Sequence, residues 1–179
     1  MKKVVIVLMT LCLLFMAGCF VLENDKTPFT PTQKVFSVEN YRLQVTADST
    51  FREATGGSFD LQITNDSAYI SIMAYKYMDL PDDMTPQEVL EIQNEDLFSK
   101  REAVTVIEEP ETQTFSRYVM TRALHSAQRD GVKNYYATYL VDFPEEEVLA
   151  WVLVTAMPSY MEENRTFLHN IVCSLAAVD

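Results

Sequence analysis

Glycine is scarce in this chain, with four among 179 residues, and histidine scarcer, with two. Loops that cradle phosphate through successive backbone N–H groups need glycines, and none of the P-loop or dinucleotide-binding fingerprints is present. Neither G-x-S-x-G nor H-E-x-x-H occurs, so the common hydrolase and zinc-protease signatures are missing too. Positive charge is also short: 14 Lys and Arg stand against 26 Asp and Glu, for a formal charge of −12. That balance repels phosphate backbones and anionic head groups, so no nucleic-acid partner is expected. Of three cysteines only Cys173 lies beyond residue 19, which leaves no disulfide framework. It falls in an apolar helical stretch with no cation beside it in sequence, and a structural thiol is expected.

The N-terminus has a different grammar. Lys2-Lys3 is a short basic region, Val4 to Met16 an apolar core, and Ala17-Gly18 the small residues of a cleavage site, which together read as a secretory signal. Cys19 follows directly. Met16-Ala17-Gly18-Cys19 resembles the lipobox of bacterial lipoproteins, with Met where Leu is commonest. The resemblance implies a diacylglyceryl group on Cys19, cleavage before it, and a palmitate-type anchor in the cell membrane with the domain on the extracytoplasmic face. Two acyl chains on one residue give stable anchoring where one is marginal. The competing readings are an uncleaved helix, since Val4 to Leu22 is just long enough to span a bilayer, and an ordinary secreted protein. The expected organisation is a signal peptide over 1–18, lipidated Cys19 and a Thr- and Pro-rich tether over 19–33, and a single domain over 34–179.

Within that domain, turn chemistry announces strands. Thr50 to Thr55, Ser58 to Thr64 and Ser67 to Lys76 are separated by Gly56-Gly57 and Asn65-Asp66, a three-strand meander. In the third, Ala68, Ile70, Ile72 and Ala74 alternate with Tyr69, Ser71, Met73 and Tyr75, so both faces are expected to be covered. Lys34 to Val38 and Tyr41 to Thr46 offer a further pair. Thr85, Pro86 and Glu88 form a capping box with Pro at the first helical position, opening a helix to about Lys100. Ala103 to Glu108, Gln113 to Ala127, Val132 to Phe143 and Glu147 to Met157 read as a second meander, with Asp130-Gly131 as a hairpin turn. The last strand is apolar on both faces, as a central strand must be. Ser159 with Glu162 suggests a second capping box and a terminal helix.

The fold class that follows is α+β, an antiparallel sheet flanked by helices. The stretch GGSFDLQITNDSAYISIMAYK, the capped helix TPQEVLEIQNEDLFSK, four further strands and a closing helix resemble the Mog1/PsbP-like domains, which include small bacterial lipoproteins, over residues 38–179. That resemblance implies an α/β/α sandwich used mostly as a non-enzymatic accessory or protein-binding module. No binding residue transfers with it.

Chemistry-bearing residues are few. His125 and His169 are expected to be structural, so no catalytic residue, bound metal or cofactor is expected; an extracytoplasmic hydrolase would need one of them in a pocket beside an acid. Glu108-Glu109-Pro110-Glu111 and Glu145-Glu146-Glu147 fall at predicted turns, and Asp79, Asp82 and Asp83 precede the helix. A cation- or small-ligand-binding lipoprotein is the alternative function, and convergence of Glu108, Glu109, Glu145 and Glu146 would favour it. The positive hint is aromatic. Tyrosines crowd the strands, and Tyr69, Tyr75, Tyr118 and Tyr136 are the candidate partner surface, for an unidentified envelope protein. The anchor has a direct check: Cys19→Ala is expected to abolish lipidation and signal cleavage, leaving the uncut chain held in the membrane by its apolar N-terminal segment, followed by fractionation and N-terminal analysis, and unaffected cleavage would exclude the lipobox reading.

Overall fold

The computed structural model describes residues 32–178 apart from Gly56. The signal, the lipobox and the tether as far as residue 31 lie outside the described residues, as does the first glycine of the Gly56-Gly57 turn. Ten strands and two α-helices follow one another: β1 (Gln33–Val38), β2 (Leu43–Asp48), β3 (Arg52–Glu53), β4 (Leu61–Thr64), β5 (Ala68–Lys76), α1 (Pro86–Ser99), β6 (Glu102–Thr114), β7 (Val119–Arg129), β8 (Val132–Phe143), β9 (Val148–Ala156), α2 (Pro158–Cys173) and β10 (Ala176–Ala177). Seven strands form one antiparallel sheet in the order β3-β4-β5-β9-β8-β7-β6, and β1, β2 and β10 form a second, small one. Among the described residues no helix is long and apolar enough to cross a membrane.

The two meanders meet in the middle of the large sheet, where β5 pairs with β9 from Ala68 opposite Ala156 to Lys76 opposite Val148. Leaving β5, the backbone must reach the far edge at β6, four strand spacings away or about 19 Å. The fourteen residues of α1 rise about 21 Å and span that gap. Its start is the capping box read from the sequence: the Thr85 side chain accepts from the Glu88 backbone, the Glu88 carboxylate accepts the Thr85 N–H at 2.7 Å, and Pro86 sits at the first helical position. Turn chemistry holds equally well at Asp130-Gly131, where both residues have positive φ, 54° and 76°, as a type I′ hairpin requires.

Strand alternation divides the core. Ile70, Ile72, Val141, Val152 and Val154 face one way and pack with Met161, Leu168, Ile171 and Val172 of α2 and with Phe36 and Val45 of the small sheet. Leu140, Leu149, Trp151 and Leu153 face the other way, against Val89, Leu90 and Leu97 of α1. The class is α+β: a central antiparallel sheet between α1 on one side and α2 with the small sheet on the other. As its composition requires, β9 is central, and it is buried on both faces.

Several expectations change. The helix α2 starts at Pro158 with Met157 as its cap residue, so Ser159 is not an N-cap. Proline at the first helical position needs no hydrogen-bond partner and fixes the start two residues earlier; the Glu162 carboxylate accepts instead from the Tyr135 hydroxyl at 3.2 Å. The stretch from Gln113 to Ala127 is not one strand, because β6 runs to Thr114 and the backbone turns at 115–118 before β7. Glu108-Glu109-Pro110-Glu111 accordingly lie within edge strand β6 rather than at a turn. Register shifts on either side of Glu108 mark bulges there, and the edge is where a strand tolerates proline. Thr50 to Thr55 contributes only Arg52 and Glu53 to the sheet, and β4 begins at Leu61, not Ser58.

Two substitutions check this account by urea denaturation. Thr85→Ala removes one half of the capping box and is expected to cost about 1 kcal/mol. Leu149→Ala empties a fully buried site between β9 and α1 and is expected to cost roughly 2–5 kcal/mol.

Candidate binding groove

The helix α1 lies over β8 and β9 and leaves the neighbouring part of the sheet open. A groove of about 840 Å³ results, within the size range of small-molecule and peptide sites. Its floor is made by side chains that strand register places side by side. Tyr136 of β8 stands opposite Thr155 of β9, which stands opposite Tyr69 of β5; one step along, Leu153 is opposite Ser71, which is opposite Gln62 of β4. Gln62 Nε2 donates to Ser71 Oγ at 2.7 Å, fixing both. The last turn of α1, with Asp96, Leu97, Lys100 and Arg101, forms one wall, and Ser58 and Phe59 form another.

Trp151 closes one end. It is 3% exposed, its indole stacks on Phe59 with ring centroids 6.4 Å apart, and its Nε1 has no hydrogen-bond partner. At the other end Arg101 lies over the Tyr136 ring, 4.7 Å from its centroid, and donates to the carbonyl of Leu97 at the C-terminal end of α1. Its Nε is buried without a partner. Buried N–H groups left unpaired are uncommon and costly, and this groove holds two.

The four candidate tyrosines are not one surface. Tyr69, 45% exposed, and buried Tyr136 line the groove. Tyr75 shares their face of the sheet but is packed beside α1, and burial with Asp60 nearby pushes its hydroxyl up to about 12. Tyr118 is on the opposite face, against Phe115 and Phe143 with centroids at 4.6 and 5.7 Å. Odd and even strand positions point to opposite faces, and Tyr118, just before β7, keeps the parity of Met120 and Leu124, which face the α2 side. Trp151, Arg101 and Phe59 were missed by sequence reasoning. The signal for Trp151 was a single tryptophan in a strand already apolar on both faces, which looked like core.

The remaining groups are placed apart from the groove. His125 packs against Phe98 beneath α1, the rings tilted by 42° with centroids 4.6 Å apart, and burial holds it below the ordinary imidazole range against the opposing pull of Glu109. His169 is on α2, where Cys173 one turn later brings its Sγ to 3.3 Å from Nε2. The two do share a helix face at i and i+4. Burial lowers the imidazole, with Arg122 and Arg165 adding to the effect, and burial raises the thiol, so the pair is neutral rather than an activated nucleophile. The four glutamates of the cation reading do not converge: Glu108 pairs with Arg122 and Arg165, and Glu146 with Arg117 at 3.8 Å. Among the described residues no group of three His, Cys, Asp or Glu side chains is placed to hold a metal ion.

The cyanobacterial PsbP of Synechocystis sp. PCC 6803 superposes with a TM-score of 0.61 at 8% identity, over 83% of this chain and 94% of that one. The fold is Mog1/PsbP-like. Other structures with this Mog1/PsbP-like fold are LpqN of Mycobacterium tuberculosis, involved in cell envelope biogenesis (TM-score 0.58, 12% identity, 84% of this chain and 86% of that), and the Ran-binding protein Mog1p of Saccharomyces cerevisiae (0.57, 10%, 84% and 97%). No family model matches the sequence, and no curated protein matches it either.

The buried histidines have a measurable consequence. With folded pKa values held below the unfolded value of about 6.5, both rings are neutral in the native state. Their stabilising contribution is complete above about pH 6.5 and is lost as pH falls toward the folded values, because the unfolded state then binds more protons. Urea midpoints of the protein and of a His125→Gln/His169→Gln variant, compared at about pH 7.5 and about pH 5.5, are expected to show a smaller acid-side loss in the variant.

Proposed function

We propose that this is a lipid-anchored accessory domain on the extracytoplasmic face of the cell membrane, which binds an envelope protein through the α1-side groove and catalyses no reaction. The observation that carries the reading is the groove itself: a concave, partly aromatic strip of sheet that α1 leaves uncovered, bordered by hydroxyl and amide groups and by Arg101. Neither histidine lines it, and its side chains suit recognition more than proton transfer. The N-terminal Met16-Ala17-Gly18-Cys19 supports the anchor and, through it, the location. Structures of the same fold supply compatible precedents, one being Ran-binding and another involved in cell envelope biogenesis.

A small-ligand reading is favoured by one separate observation, the groove's volume of about 840 Å³, which accommodates a molecule of modest size without any protein partner. One experiment divides the two. A photo-crosslinking amino acid replaces Tyr69, exposed at the groove, in the full-length protein within its own envelope, with a second copy of the experiment at exposed Val35 on β1 of the small sheet as control. A discrete crosslinked protein seen from Tyr69 and absent from Val35 is the expected result. Absence of any protein adduct at Tyr69 would overturn the protein-partner reading.

A further inference from the structure

The groove's electrostatics differ from those of the molecule around it. In a protein of formal charge −12, most ionised groups on the groove lining are spoken for: Asp66 by Arg52, Asp96 by Lys100 at 2.9 Å, and Asp130 by Arg129 at 3.8 Å. Two charges on the lining make no salt bridge among the described residues, Arg101 and Glu102. They are not equivalent. Glu102 is exposed at the start of β6, where solvent screens it, whereas Arg101 is half-buried, stacked on Tyr136, with Nε unpaired.

The second buried donor defines the other end. Trp151 Nε1 can only donate, and it has nothing to donate to. Tyr136 faces Thr155, and four residues along the same strands Leu140 faces Trp151. Arg101, resting on Tyr136, is thus separated from Trp151 by about 13 Å of sheet. Between them the floor holds Leu153, with Ser71 and Gln62 alongside, and Met73 stands opposite Trp151. Two donors, one cationic, bracket an apolar strip.

We infer that the groove binds a carboxylate-bearing ligand with an extended apolar body, its carboxylate on Arg101 and a neutral acceptor on the Trp151 indole N–H. Guanidinium N–H groups match a carboxylate in charge and in planar geometry. The span equals about four residues of extended peptide, so the free carboxyl end of a peptide has the right reach; a small aromatic or aliphatic acid offers the same chemistry. The inference rests on the groove being the recognition surface, and it specifies what is recognised there.

The single tryptophan makes the test clean. In nitrogen-15-labelled full-length protein in detergent micelles, the one indole N–H resonance is followed during titration with N-acetyl-Ala-Leu-Ala-Phe carrying a free C-terminal carboxylate, with the same peptide as its C-terminal amide, and with 4-phenylbutyrate. Saturable movement of the resonance by at least one of the two acids is expected. Binding of the amide, and of the better acid to Arg101→Gln, is expected to be weaker by about tenfold or more, as the loss of a charge-assisted hydrogen bond demands. The tighter of the two acids identifies the source. No movement with either acid, or an amide that binds as tightly as its acid, overturns the inference, and the acid–amide comparison stands even where Arg101→Gln fails to fold. Crosslinking at Tyr69 together with an amide as tight as its acid would refute the carboxylate alone; carboxylate binding without a crosslinked protein would refute the protein partner alone.

Discussion

The pairing of β5 with β9 is the constraint from which the rest of the architecture follows. It sets nine residues of the first meander against nine of the second, Ala68–Lys76 beside Val148–Ala156, and so places the last strand of the sheet at its centre. A strand in that position has neighbours on both edges and layers on both faces, which explains why β9 is almost wholly apolar. It also dictates the path of the backbone. Since β5 is already flanked by β4 and β9, the polypeptide has to leave the middle of the sheet and re-enter at an edge, and α1 is the connection that crosses.

A single crossing helix covers one strip of a seven-stranded face and no more. Where α1 lies, Val89, Leu90 and Leu97 seal Leu140 and Leu149; beyond it the sheet is uncovered, and Tyr69 is open while Ile70 beside it is fully buried. The groove is therefore a product of topology more than of any special loop. On the opposite face α2 shares its layer with the small sheet, and Ser174 Oγ at the end of α2 accepts the Thr46 N–H at 2.9 Å and so ties the two together.

Much of the fold was legible because its signals are local. A capping box, an Asp-Gly turn and a two-sided apolar strand each depend on a few adjacent residues, and Thr85, Asp130-Gly131 and Val148–Ala156 behave as their chemistry dictates. Errors arose where a local rule competed with another. Ser159 is a good cap in isolation, but Pro158 before it begins a helix at least as well. The Glu108–Glu111 run looked like a turn because edge strands and turns share a taste for charge and proline. The groove was the least legible feature, since it needs the relative placement of strands far apart in sequence. Tyr69 and Tyr136 were singled out for their chemistry, and register brings them to one floor, yet the same reasoning swept in Tyr118, which shares the parity of Met120 and Leu124 and so lies on the other side.

An open sheet also has two ends, and each is a template on which another polypeptide could continue the ladder. At one end β3 contributes only two residues, too little to template anything. At the other β6 is thirteen residues long and exposes Val104, Val106 and Ile107, an invitation to polymerise. Its broken register denies a newcomer a continuous row of hydrogen-bonding groups, Pro110 removes one donor outright, and Glu109 sets a charge in the same stretch. Straightening this strand would thus open the native fold to edge-to-edge association with the core intact.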